Sequence, residues 1–296
     1  MLSILIPTYN YNVFPLAKQL SEQAQQANIV FEIICIDDGS QSSVNKNNLQ
    51  INNLKSSTFI ANKNNVGLSN NRNLLASKAK YNNLLFIDGD SLLPQNTFIK
   101  DYVEALKHNT DVIYGGRIHP KSVGPNRKLR WKYGLFREDL RAEERINNIY
   151  KCVLFNNTLI KKEVFHQIGF EKEITEYGHE DTIFAYKLKL LKSKVLHINN
   201  PVLHNDVDLS KVYLEKTKKG LNNLNYIYNK KLVDPKFITF LVYFEKLKKF
   251  KINILLSFIH KVFFSFFIKH LTSKHPNLYI FDLFRLSYFC HINLKN

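Results

Sequence analysis

The sequence predicts an α/β fold in which a mostly parallel, doubly wound sheet is followed by a helical, basic C-terminal region. Short apolar runs alternate with helical patterns through the first 116 residues, which is typical of parallel sheets built from strand–helix–strand units. Several of these runs end directly at acidic residues or glycines. From residue 230 onward the pattern becomes helical, and twelve Lys or Arg residues stand against three Asp or Glu.

The apolar runs predict seven strands. In chain order they are Leu2–Ile6, Phe31–Ile36, Thr58–Ala61, Leu84–Ile87, Asp111–Tyr114, Cys152–Phe155 and Val195–Ile198. Segments between them, such as residues 14–24, carry apolar residues at helical spacing. The stretch 121–145 is basic and poorly periodic, and it predicts a long loop that orders over a ligand.

The central strand, Leu84–Ile87, is followed at once by Asp88, Gly89 and Asp90. Ligands of open α/β sheets bind beyond the carboxyl ends of the strands. A glycine spacer leaves both carboxylates room to reach one hard cation or a set of hydroxyls. These three residues alone leave open the alternative of an ordinary Asp-Gly turn.

A second acidic pair, Glu180 and Asp181, begins a predicted helix that continues to Leu191. Acids in a first turn complement the helix dipole, so by themselves they also fit simple capping. His204, which follows Pro201, is by itself typical of a structural histidine.

Together these residues resemble the inverting family-2 glycosyltransferases with a GT-A fold. The matching segments occur in the order of the family over about residues 1 to 210. They are Ile6-Pro7-Thr8-Tyr9-Asn10, Ile36-Asp37-Asp38-Gly39-Ser40, Asn65-Val66-Gly67-Leu68 with Arg72-Asn73, Phe86-Ile87-Asp88-Gly89-Asp90, Gly115-Gly116 and Gly178-His179-Glu180-Asp181. The last 80 or so residues match no motif.

The resemblance implies a role for each matching residue. Donor-binding residues, which would contact the nucleotide of a UDP-sugar, would be Pro7, Thr8, Tyr9, Asp37, Asp38, Asn65, Arg72, Asp88 and Gly89. Asp90, with Asp88 and His204, would hold Mn²⁺ or Mg²⁺ on the diphosphate. Asp181 would be the general base and Glu180 would bind acceptor hydroxyls, although the reverse assignment stays open.

The resemblance also implies a domain organisation. Residues 1–210 would form the catalytic domain, with a nucleotide-binding half over 1–116 and an acceptor-binding half over 117–210. Residues 211–296 would form a helical, basic, amphipathic region.

The implied activity is metal-dependent transfer of a hexosyl or N-acetylhexosaminyl group, with inversion, to a glycan or lipid-linked acceptor in surface polysaccharide synthesis. One alternative is a sugar-phosphate nucleotidyltransferase, a class that normally has a glycine- and arginine-rich loop where this chain has Pro7-Thr8-Tyr9-Asn10. Another is a domain that binds nucleotide-sugar or glycan without turnover.

The net charge of +17 predicts an anionic partner, and +9 of it lies in residues 230–296. Apolar residues between Asn253 and His270 form a broad helical face next to several lysines, which predicts binding to an anionic membrane surface. The uninterrupted apolar stretches look too short to span a bilayer, and a helix packed on the core is the alternative. Nucleic acid is not expected, because it would leave the acidic strand ends unexplained and no binding motif occurs.

Few, scattered cysteines and the lack of a basic segment before the first apolar run predict a reducing compartment and no signal peptide. The expected location is cytoplasmic, peripheral on the inner face of the membrane.

Overall fold

The protein, described by a computed structural model over residues 1–174 and 178–295, divides into two compact units. The first comprises Met1–His119, Asp139–Thr175 and Glu180–Asp206 as far as these are described, and the second Pro120–Glu138, Glu176–His179 and Val207–Asn296. Segment 120–138, which falls in the predicted acceptor-binding half, thus groups with the C-terminal helices. The division at residue 210, and that at residue 116, stay predictions.

The described part of the first unit contains ten strands in two sheets. They are β1 (Leu2–Thr8), β2 (Phe31–Asp37), β3 (Ser57–Ala61), β4 (Asn83–Ile87), β5 (Ser91–Leu92), β6 (Val112–Tyr114), β7 (Arg117–Ile118), β8 (Asn157–Lys161), β9 (Val195–His197) and β10 (Val202–His204). The large sheet has the order β3-β2-β1-β4-β8-β6-β9, and the small one β5-β10-β7. All pairs of the large sheet are parallel except those of β8. The predicted α/β, mostly parallel fold is confirmed.

The strand predicted at Cys152–Phe155 is wrong. The antiparallel strand between β4 and β6 is β8, which begins at Asn157. Phe155 is buried for another reason: its ring lies 5.3 Å from that of Phe86 and 4.4 Å from that of Phe184. An apolar run that packs against a sheet has the same composition as a buried strand, so the pattern could not separate the two.

Within residues 1–174 and 178–295, twelve α-helices accompany the strands. They are α1 (Phe14–Gln26), α2 (Asn45–Asn48), α3 (Leu68–Lys78), α4 (Phe98–Ala105), α5 (Lys128–Tyr133), α6 (Ala142–Arg145), α7 (Lys162–Ile168), α8 (Glu180–Leu190), α9 (Ser210–Asn229), α10 (Thr239–Lys249), α11 (Ile252–Leu271) and α12 (Leu278–Asn293). Helices α5 and α6, with a 3-10 turn and a π-helical turn at Gly134–Glu138, lie within the stretch 121–145. The prediction of a long loop there is wrong.

Helices cover both faces of the large sheet because its strands alternate their side chains between two apolar cores. Ile4 and Ile6 of β1 join the core beneath α1 and α4, whereas Leu5 joins the core beneath α3, α7 and α8. Burial on both faces makes these strands continuous apolar runs, as expected for parallel sheets. Because β1, β2 and β4 pair in parallel, their carboxyl ends meet at one edge of the sheet.

The second unit is helical and has its own core, which includes Leu129, Leu214, Phe267, Phe281 and Phe284. Within the described residues, α11 is the one helix long and apolar enough to cross a membrane, with a mean hydropathy of 1.5 and 28% of its apolar window buried. The expectation that this stretch is too short was wrong, because one continuous helix of 20 residues measures about 30 Å.

Candidate active site

Parallel pairing aligns the carboxyl ends of β1, β2 and β4. Thr8 is the register partner of Asp37, and Leu5 that of Phe86. Thr8, Asp37, Asp38 and Asp88 therefore lie at the same edge of the large sheet, as the sequence predicted from their positions after apolar runs.

The buried guanidinium of Arg72 connects two of the predicted acids. Arg72 is 1% exposed. One of its terminal nitrogens donates to Asp181 Oδ1 at 2.9 Å, and the other donates to Asp88 Oδ1 at 2.9 Å. Glu180 Oε1 lies 4.0 Å from the nitrogen that binds Asp181. The guanidinium also lies over the rings of Phe155 and Phe170, at 5.9 and 5.2 Å from their centroids.

The contacts among Arg72, Asp88, Glu180 and Asp181, which we call the Arg72 cluster, shift the pKa values of Arg72 and Asp181. Burial alone would lower the pKa of Arg72, but the charges of Asp181, Asp88 and Glu180 outweigh it and raise the pKa, so the guanidinium stays protonated. Burial raises the pKa of Asp181, and the Asp88 charge raises it further. Arg72, Phe155 N–H, which donates to Asp181 Oδ2 at 3.2 Å, and Arg117 act in the opposite direction. Asp181, with 18% of its side chain exposed, is thus a better proton acceptor than an ordinary aspartate.

The acids after β2 position loops. Asp38 accepts hydrogen bonds from the backbone N–H groups of Val66 and Gly67 at 2.9 and 3.0 Å. Asp37 Oδ2 accepts from Ser40 N–H and Asn45 Nδ2 at 2.9 and 3.0 Å. The predicted contact of these acids with a nucleotide stays a prediction. Asp38, through the two N–H groups, fixes the entry to the helix that carries Arg72.

The remaining predicted donor-binding residues surround these loops. Thr8 is buried, and its Oγ1 has no hydrogen-bond partner among the described residues. Tyr9 is exposed. Asn65 Oδ1 accepts from Gly67 N–H at 3.0 Å. Pro7 belongs to β1, and its carbonyl oxygen lies 3.1 Å from where a Cβ on Gly89 would be.

Gly89 is required by close packing. A Cβ at this position would lie 2.9 Å from Val13 Cγ1 and 3.2 Å from Thr8 Cβ. The chain between Asp88 and Asp90 therefore passes directly over the end of β1, which explains why a glycine separates the two carboxylates.

The small sheet brings together a second pair, Asp90 and His204. Strand β5 follows Asp90 and pairs antiparallel with β10, with Ser91 opposite His204. As a result, Asp90 Oδ2 lies 3.3 Å from His204 Nδ1. The ring of His119 packs edge-on against that of His204 at 5.4 Å, and its Nδ1 lies 2.6 Å from Asp139 Oδ1.

Asp90 and His204 fit the metal that the family resemblance implies, because a carboxylate oxygen and an imidazole nitrogen suit Mn²⁺, and Mg²⁺ sites combine one or two carboxylates with substrate phosphates. Asp88, the third predicted ligand, is bonded to Arg72 instead. In the described part of the chain, no group of three or more His, Cys, Asp or Glu side chains could hold a metal ion. The structure thus brings two of the three predicted ligands together.

Sequence reasoning missed His119, Asp139 and Arg117. His119 directly follows β7, which pairs with β10, and Asp139 is held beside it by its bond to the His119 ring. Arg117 contributes to the field at Asp181. Strands of two or three residues have no detectable period, so no sequence pattern marks these positions.

The fold, with polar residues at the carboxyl edge of its large sheet, defines a GT-A-like α/β protein. Comparison with known proteins gives its family. Residues 3–169, more than half of the chain, match glycosyl transferase family 2, and the chain belongs to that family.

Two solved structures share the fold. One is S. aureus TarS in complex with UDP-GlcNAc, with 19% identity, a TM-score of 0.54, and coverage of 73% of this chain and 64% of that one. The other is the mannosyltransferase PcManGT of Pyrobaculum calidifontis in complex with GDP-Man and Mn²⁺, with 14% identity, a TM-score of 0.53, and coverage of 79% and 64%.

Curated relatives agree with the family. The chain is 26% identical to the chondroitin synthase of Escherichia coli over 224 residues, which is 63% of this chain and 32% of that protein. It is 25% identical to the glycosyltransferase GlyA of Streptococcus pneumoniae over 241 residues, 74% and 33% of the two chains. The chain thus spans about a third of the length of these relatives.

We expect Gly89→Ala to lower the free energy of unfolding by about 1–3 kcal/mol, because the added methyl group overpacks the end of β1. Urea unfolding measures this. Gly124→Ala, at a position where a Cβ would meet only the end of the Asn126 side chain, should stay within about 0.5 kcal/mol of the wild type.

A second substitution tests whether the contact with Val13 causes this loss of stability. In the Val13→Ala background, Gly89→Ala should cost at least about 0.5 kcal/mol less, because the closest clashing atom is gone. Equal costs in both backgrounds would show that the Val13 contact is not the constraint.

Proposed function

We propose that the protein transfers a hexosyl or N-acetylhexosaminyl group from a nucleotide-diphosphate donor, a UDP-sugar, to a hydroxyl of a glycan or lipid-linked acceptor, with inversion and with a divalent metal. The observation that carries the proposal is the Arg72 cluster, which holds Asp181 beside Asp88 at the carboxyl edge of the sheet. Relatives support the donor class: TarS binds UDP-GlcNAc, and PcManGT binds GDP-Man and Mn²⁺. The chondroitin synthase supports a role in polysaccharide synthesis.

Asp181 acts as the general base in this proposal. Its carboxylate accepts the proton of the acceptor hydroxyl as that oxygen forms its bond to the anomeric carbon. The bond from that carbon to the diphosphate breaks on the opposite face, so the configuration inverts and no covalent enzyme intermediate forms. Positioned general bases contribute about 10²–10⁴-fold. Arg72 keeps Asp181 oriented, and Glu180, one residue away, binds an acceptor hydroxyl.

The donor binds along the ends of β1, β2 and β4. Thr8 Oγ1, buried and without a partner among the described residues, is suited to a polar group of the base. Asp38 positions the loop at Asn65, and the remaining oxygen of Asp88 is available to ribose hydroxyls. Asp90 and His204 would hold the metal, which when bound neutralises the charge of the leaving diphosphate.

Two other functions were considered. A sugar-phosphate nucleotidyltransferase is disfavoured by membership of glycosyl transferase family 2. A domain that binds nucleotide-sugar without turnover would not need a carboxylate of raised pKa beside a buried arginine, which favours catalysis. Release of the nucleoside diphosphate, UDP or GDP, from a panel of UDP- and GDP-sugars tests the proposal. A protein that binds donors but never turns them over would support the binding domain.

We also propose that the enzyme works in the cytoplasm as a peripheral protein on the inner face of the membrane, where a lipid-linked acceptor would be accessible. The net charge of +17 supports association with an anionic surface.

Asp181→Asn should lower kcat by about a hundredfold or more and leave the Kd for UDP within about twofold, because the amide cannot accept the proton. Steady-state kinetics and UDP titration calorimetry measure the two effects. Glu180→Gln should instead raise KM for the acceptor. If Glu180→Gln shows the kcat defect and Asp181→Asn does not, the two roles are reversed.

The pH dependence of kcat should reflect the raised pKa of Asp181. A base must be deprotonated to act, so activity should fall as the pH drops through a value above the ordinary 3.8 of an aspartate. Asp88→Asn removes a charge that raises this pKa, and the acid limb should therefore move to lower pH. Glu104→Gln, an exposed acid on α4, should leave the limb in place. If Asp88→Asn leaves the acid limb of the kcat profile in place, the Asp88 charge does not raise the pKa of the catalytic base.

Asp90→Asn and His204→Ala should each weaken the Mn²⁺-dependent part of UDP binding by at least about tenfold, because each removes a metal ligand. Titration calorimetry with and without Mn²⁺ separates this part from metal-independent binding, which should not change. His166→Ala, an exposed histidine on α7, is the matched control. Unchanged metal-dependent binding in both variants would remove the pair from the metal site.

A further inference from the structure

Helix α11 of the second unit exposes an apolar face. Leu255, Phe258, Val262 and Phe266 follow one another at intervals of three or four residues, so they lie on one side of the helix. These side chains and that of Ile254 are 53% to 62% exposed. We call these five residues the outer face of α11. Apolar surface of this extent on one helix marks a binding surface.

Helix α11 buries polar residues as well as apolar ones. Its buried side carries Asn253, Ser257 and His260 together with Leu256, Phe267 and Leu271. Ser257 Oγ lies 3.2 Å from His291 Nδ1, and His260 Nδ1 lies 3.4 Å from Ser287 Oγ, both on α12. A helix that only completed a water-soluble core would bury its apolar residues and expose its polar ones. Here the polar contacts attach α11 to α12 and leave the outer face available.

Positive charge borders the outer face. Lys246, Lys248 and Lys249 end α10, Lys251 lies between the two helices, and Lys261 is exposed within α11. The sequence contains no acidic residue between Glu245 and Asp282. Lysines next to an inserted apolar face are typical of helices that lie on anionic lipid.

We propose that the outer face of α11 inserts into an anionic phospholipid surface with the helix parallel to the membrane plane, while the flanking lysines bind lipid headgroups. A second copy of the chain is less suited to cover the outer face, because its own lysines would be repelled by the lysines next to that face. A spanning orientation would require α11 to leave the polar contacts with α12 and to carry Lys261 into the acyl region. The proposal does not depend on the catalytic assignment.

Co-sedimentation of the full-length protein with vesicles tests this. Binding to phosphatidylcholine vesicles that contain phosphatidylglycerol should be at least about tenfold tighter than binding to phosphatidylcholine alone. Raising the salt from about 0.1 M to about 1 M shortens the Debye length to about 3 Å. Binding should then weaken but remain measurable, because salt does not screen apolar insertion.

Variants separate the contribution of apolar insertion to vesicle binding from that of the positive charge. Phe258→Gln with Phe266→Gln should weaken vesicle binding by more than about tenfold and abolish the part that persists at high salt. Leu190 is the last residue of α8 and Leu191 follows it, and both are similarly exposed apolar residues of the first unit. Leu190→Gln with Leu191→Gln should therefore change vesicle binding less than about twofold. Thermal unfolding checks that both double variants remain folded, which is expected because all four side chains are exposed.

Charge is tested in the same way. Lys246→Gln, Lys248→Gln and Lys249→Gln combined should remove most of the preference for anionic vesicles. Lys55→Gln, Lys78→Gln and Lys100→Gln, the same loss of charge at exposed positions of the first unit, should retain it.

Three results would overturn the proposal. Full-length protein that stays in the supernatant at every salt concentration would exclude membrane docking. Self-association that the Phe258 and Phe266 changes abolish, without vesicle binding, would make a second copy the occupant. Protein that resists extraction from the vesicles by alkaline carbonate would indicate a spanning helix.

Discussion

The candidate site depends on one buried cation. Arg72 has lost nearly all of its hydration, and its guanidinium is compensated by Asp88 and Asp181 and by the rings of Phe155 and Phe170. Removing one partner of a buried ion pair typically costs about 3–5 kcal/mol, because the other charge is left uncompensated. The arginine therefore fixes the distance between the end of β4 and the start of α8, two segments about 90 residues apart in the chain.

This constraint explains why the neighbouring loops are rigidly built. Helix α3 has to present Arg72 at the sheet edge, and its entry is held by Asp38 through the N–H groups of Val66 and Gly67. Gly89 lets the chain after Asp88 pass over β1 without a clash. The acids that the motifs mark thus include some that position backbone, such as Asp38, and others that bind the Arg72 guanidinium. Motif membership alone does not distinguish these two roles.

The two units use polar residues in opposite ways. In the first, polar side chains gather at the edge of an apolar sheet, where substrate would bind. In the second, Ser257 and His260 lie between α11 and α12, while Phe258 and Phe266 are exposed. Burial lowers the pKa of His260 to about 4, helped by the charges of His291 and Lys218, so this interface is neutral at ordinary pH. A neutral, hydrogen-bonded interface can hold the two helices together whether the outer face meets water or lipid.

The sequence by itself determined the alternating strands and helices, the mostly parallel sheet, and the positions of Asp37, Asp38 and Asp88 at the carboxyl edge of that sheet. It could do so because a strand buried on both faces is a short apolar run, and because parallel strands end at a common edge. It misplaced the strand at Cys152–Phe155, since packing against a sheet and joining it need the same apolar residues. Only the tertiary structure decided that Arg72 binds the two acids, that Asp90 meets His204 through pairing of two very short strands, and that Leu255, Phe258, Val262 and Phe266 of α11 are exposed. Each of these depends on contacts between segments far apart in the chain, which local composition and period do not encode.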